Sequence, residues 1–66
     1  MTIFLKRLKR LRQNEGLKQQ ELAEILGIKR NTYSDWENGK TEPRFDKLVK
    51  LADFFDVSLD WLFGRK

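Results

Sequence analysis

The chain has no cysteine and no histidine, and only one proline, one methionine and four glycines in 66 residues. Without cysteine, neither a disulfide nor a thiolate zinc site can staple so short a domain. Stability must come from one apolar core or from association with a second copy. The chain also lacks a metal-ligand cluster and a Gly-rich phosphate cradle, so nothing points to an enzyme and no cofactor is expected. No apolar run approaches the roughly 18 residues of a membrane span. The Met1 end carries no signal-peptide pattern, and a soluble protein of the cytoplasm is the expectation.

What is present is charge, unevenly placed. Residues 1–44 hold ten Lys or Arg against six Asp or Glu, a surplus of four, whereas residues 45–66 hold four of each. The whole +4 therefore sits in the first two-thirds. Such a surplus either faces a polyanion or keeps a small domain soluble.

Apolar spacing predicts five helices and no strand, forming one domain over 1–66. Phe4, Leu8 and Leu11 stand at i, i+4 and i+7 in a helix over 2–14, whose other faces are strongly basic. Gly16 follows it. A second helix over 18–26 turns Leu22, Ala23 and Leu26 inward and closes at Gly27; a third begins at 29 or 30 and runs to 38. Tyr33 and Trp36 share the inner stripe of that third helix, and Gly39 follows Asn38, a position suited to a left-handed C-cap. Pro43 punctuates a loop. A fourth helix over about 45–55 carries Leu48, Leu51, Ala52 and Phe55, and Ser58 caps a last short one reaching about Phe63, with Leu59 and Leu62 inward.

Two short helices joined by a tight turn at Gly27-Ile28 fit helix-turn-helix geometry. The run LKQQELAEILGIKRNTYSDWENGKTEP resembles the Cro/CI (XRE-like) family of phage repressors and bacterial transcriptional regulators, and PRFDKLVKLADFFDVSLDWLFG resembles that family's fourth and fifth helices. QxxLA, the turn glycine, WENGKxxP and VSLDWL are specific jointly rather than singly. The resemblance spans about Leu8 to Gly64 and implies an all-α, five-helix, lambda-repressor-like fold. It further implies a regulator, of the repressor kind, that binds a palindromic double-stranded DNA operator as a homodimer.

In that family the second helix of the motif enters the major groove with its N-terminal residues at base edges. The positions carried over are Lys29, Arg30, Asn31, Ser34 and Asp35. Arginine suits guanine O6 and N7, and asparagine suits adenine bidentately. Asp35 either accepts from cytosine N4 or orients Arg30 or Lys29. Phosphate contacts are implied for Lys18, Gln19, Asn38, Lys40 and Thr41. Arg44, in Pro43-Arg44-Phe45, reaches either a phosphate or a narrow minor groove. Arg12 and Glu37 occupy positions where relatives form an ion pair. Lys6, Arg7, Lys9 and Arg10 read as a mostly solvated face.

Lys18 and Lys29 depart from the family, which places Ser or Thr there to cap each helix. A lysine cannot accept from backbone N–H groups and its charge opposes the helix dipole, a loss on the order of 1 kcal/mol each. Positive charge beside the DNA backbone would compensate functionally. Finally, Ile25, Phe54, Trp61 and Phe63 fall outside the inward stripes. Phe54, Trp61 and Phe63 are accordingly the expected dimer contact, unless Trp61 or Phe63 closes the bottom of the core. A module that masks a protein partner, such as an antitoxin of this fold, would use the same apolar residues.

Overall fold

The amphipathic stripe that starts at Phe4 becomes α1 (Thr2–Asn14) in a computed structural model that describes residues 2–65. The Met1 end and Lys66 lie outside the described residues. Then follow α2 (Gln19–Leu26), α3 (Arg30–Asn38), α4 (Phe45–Phe55) and the single-turn α5 (Leu59–Leu62). No strand occurs among the described residues.

The ends of α2 and α3 are set by two glycines in the left-handed region, Gly27 at φ 73° and Gly39 at φ 77°. That conformation turns the chain back on itself. Ile28 N–H then reaches the Ala23 carbonyl at 3.0 Å, and Lys40 N–H reaches the Asp35 carbonyl at 2.9 Å, so carbonyls left open by each last turn are satisfied. Asp56 does the same for α4 at φ 55°, with a Cβ that makes the conformation costlier. Lys47 extends from α4 so that Nζ donates to the Leu26 carbonyl at 3.1 Å, placing a cation at the negative end of α2.

The core gathers the inward stripes: Phe4 and Leu8 from α1, Leu22, Ala23 and Leu26 from α2, Tyr33 and Trp36 from α3, Leu51 and Ala52 from α4, and Leu62 from α5. Leu11, Ile28, Leu48, Phe55 and Leu59 pack against it from partly buried positions. The stripes read from periodicity are therefore the ones that meet.

Two expectations are corrected at the C-terminal end. Trp61 and Phe63 do not stand outside the core but follow the alternative reading for them: both are half-buried against it. The helix stops at Leu62, and Phe63 leaves it at φ −93° and ψ 3°. Its ring stacks on Phe4 with centroids 5.3 Å apart. A helical wheel drawn through Phe63 points its side chain the wrong way because the helix has already ended. Arg7 is likewise not a solvated residue. Its guanidinium lies 4.5 Å over the Trp61 ring and donates to the Trp61 carbonyl, fastening α5 to α1. Ile25 and Phe54 are exposed as expected, at 42% and 43%, and Ile3 and Phe45 join them.

Candidate nucleic-acid interface

Helix α3 presents two opposite faces. Tyr33 and Trp36 are 0% and 4% exposed, their rings meeting edge-on at 5.9 Å, and they anchor the inner face. The opposite side of the first turn bears Lys29, Arg30 and Asn31, all exposed. Ser34 and Asp35 follow one turn later, half-buried. Arg30 Nη2 donates to Asn31 Oδ1 at 3.1 Å, and Asn38 Nδ2 donates to Ser34 Oγ at 3.4 Å.

Both helices of the motif start on lysines with extended backbone, and neither lysine makes a side-chain cap. Arg44 opens α4 in the same way, making a third basic N-cap. The three N-termini keep backbone donors open beside a cation, an arrangement that favours an anion. At α2 the deficit is partly met by Glu21, whose Oε1 accepts from the Lys18 backbone N–H at 2.8 Å. That contact is half of a capping box, signalled by a Glu three residues after the cap. Lys40 and Thr41 are exposed in the turn after Gly39, next to exposed Asn38.

Behind the exposed edge lies a single buried carboxylate with four donors. Glu37 is 8% exposed. Its Oε2 accepts from Arg12 Nε at 2.7 Å and from the Tyr33 hydroxyl; its Oε1 accepts from Arg12 Nη2 at 3.1 Å and Gln19 Nε2 at 3.0 Å. Arg12 Nη1 also donates to the Leu17 carbonyl at 2.8 Å. The network thus ties α1, the loop before α2, the first residue of α2 and the last turn of α3 to one another. Burial works against the Glu37 charge, but hydrogen bonds from Arg12, Tyr33 and Gln19 outweigh it and hold its carboxyl below the ordinary range. Burial, and then the bond to Glu37, push the Tyr33 hydroxyl upward, and the Glu37 bond raises Arg12.

The structure therefore brings Arg12 and Glu37 together and places Gln19 with them, half-buried. Each of the apolar residues expected to act as a set has a neighbour of its own: Phe54 lies edge-on to Phe55 at 4.9 Å, Phe63 stacks on Phe4 and Trp61 lies under Arg7. The roles of Tyr33 and Glu21 in holding the motif were missed from the sequence. Tyr33, four residues before Glu37 on the same helix face, could have been found from that spacing. Among the described residues no helix is long and apolar enough to cross a membrane, and no cluster of metal-ligating side chains occurs.

A helix-turn-helix family model matches residues 8–62. The chain is 43% identical over 60 residues to the SPbeta prophage-derived HTH-type transcriptional regulator YonR of Bacillus subtilis, covering 91% of this chain and 56% of that protein. Against the HTH-type transcriptional regulator ImmR of the same organism, identity is 43% over 60 residues, covering 91% and 47%. The crystal structure of a transcriptional regulator from Listeria innocua superposes with a TM-score of 0.87 at 38% identity, over 92% of this chain and 57% of that one. The chain thus spans about half the length of the curated relatives it matches. With an inward Tyr33-Trp36 face, an exposed polar edge and glycine-closed helices in the matched segment, the chain belongs to the Cro/CI (XRE-like) helix-turn-helix family of DNA-binding transcriptional regulators, not to an enzyme family.

Proposed function

We propose that residues 1–66 act as one DNA-binding domain that represses transcription in the cytoplasm by occupying a palindromic operator as a homodimer. The observation that carries this reading is the polarity of α3. Its inner face is fixed by buried Tyr33 and Trp36, and that leaves Lys29, Arg30 and Asn31 free at the turn that enters a major groove in this family. In the proposed complex these three, with Ser34 and Asp35, face base edges. Lys18, Gln19, Asn38, Lys40, Thr41 and Arg44 face phosphates, with Gln19 spending one amide hydrogen on Glu37 and keeping the other for DNA. Repression needs only that the operator be occupied.

The dimer contact is proposed at Phe54, Trp61 and Phe63, of which Phe54 is exposed and the other two are half-buried. An isologous pair formed there sets two recognition helices about one DNA turn, roughly 34 Å, apart. Selection of bound duplexes from a random DNA pool tests the reading. A palindrome with half-sites about one turn apart is the expected result; retention of DNA without any enriched sequence would defeat it.

A further inference from the structure

The two exposed side chains at the start of α3 are not independent. Arg30 Nη2 donates to Asn31 Oδ1 at 3.1 Å, so the amide oxygen already faces a cation. Bidentate pairing with adenine needs that oxygen to accept from the N6 amino group while Nδ2 donates to N7. The oxygen keeps a second lone pair, but an adenine amino group arriving there lies beside the guanidinium N–H that already donates to it, with like partial charges opposed. Apart from that one lone pair, these exposed residues offer Asn31 Nδ2, the unused N–H groups of Arg30 and the Lys29 ammonium, and every one of these is a donor.

We propose that Arg30 and Asn31 form one donor-dominated reading unit that selects guanine at neighbouring positions of the half-site and disfavours adenine at the Asn31 position. Among the four bases, guanine alone offers two acceptors and no donor on its major-groove edge. Asp35 stands one turn after Asn31, half-buried and in no side-chain hydrogen bond among the described residues. It supplies the opposite polarity, an acceptor for cytosine N4. The unit and Asp35 together match G·C pairs. This inference rests on the DNA-reading function proposed above.

Pool selection with the full chain and with Arg30→Ala, Asn31→Ala and the double variant tests it, circular dichroism confirming that each variant is helical. The native chain should enrich guanine at adjacent positions. Each single variant should lose about tenfold in guanine-over-adenine preference, and the double variant should lose no more than the larger single loss, because either substitution already dissolves the unit. Adenine enriched at the position that responds to Asn31→Ala overturns the unit while leaving sequence-specific binding intact. Single losses that multiply in the double variant overturn it as well. A pool that yields no enriched sequence overturns the DNA-reading function itself, and the unit with it.

Discussion

Helices α2 and α3 begin on lysines with no side-chain cap, whereas α5 begins on Ser58, whose Oγ accepts from the Trp61 backbone N–H at 3.0 Å. The same local requirement is met at one end of the molecule and left open at the other. The difference follows charge. The surplus of four positive residues lies within 1–44, and the neutral remainder carries the capped helix. The basic part is instead braced from behind, by a carboxylate that accepts from α1, α2 and α3 together. In the proposed complex local stability is given up where backbone donors face a polyanion, and long-range polar bonding holds those same helices in place.

The sharpest way to break this comparison is to remove the brace. Glu37→Gln leaves Arg12 charged with little solvent around it and should cost about 3–5 kcal/mol in urea denaturation. The same variant changes the acid limb. Because the folded Glu37 carboxyl titrates below its ordinary value of 4.5, its contribution is complete above that value and is lost as pH falls through the folded value. The native chain should therefore lose stability more steeply on acidification than Glu37→Gln, as followed by ellipticity at fixed denaturant.

At the neutral end, Phe63→Ala removes the ring stacked on Phe4 and should cost about 2–3 kcal/mol, below the range for a fully buried phenylalanine. Phe54→Ser should leave folding nearly unchanged and weaken self-association in sedimentation. Equal effects of the two on association alone would erase the division between core and contact surface.

A smaller effect, of opposite sign, is expected at the lysine caps. Lys18→Ser completes the box with Glu21 and should raise stability by about 1 kcal/mol. It should also reduce the slope of log binding constant against log salt by about 0.9 if one phosphate contact is lost. Lys29→Ser has no such Glu partner and should gain less. The smallest expected effect is at Asp56. Its left-handed backbone and its negative charge at a helix C-terminus both favour replacement, and Asp56→Gly should add about 0.5 kcal/mol, read as a rise in Tm.

Much of the scaffold was legible before any coordinates. Tyr33 and Trp36 at i, i+3 had to share the inward face, and Gly27 and Gly39 stand where helices need a residue free to adopt positive φ. The cap positions of Lys18 and Lys29 followed from the family resemblance, which places a capping residue at each. The placement of Phe63 was misread because periodicity assumes that the helix continues. The Arg7 contact with Trp61 crosses 54 residues of chain and carries no period at all.

The sequence by itself determined the five helices, the glycine-closed ends of α2 and α3 and the main stripes they bury, because these depend on backbone preferences and spacings within a few residues. Only the tertiary structure decided that Glu37 also collects Gln19 and Tyr33, that Lys47 reaches the end of α2, and that Arg30 donates to the oxygen of Asn31. Those are choices among several donors and acceptors that close packing brings within reach. They are settled by the angles between helices and by side-chain rotamers, which no local pattern encodes.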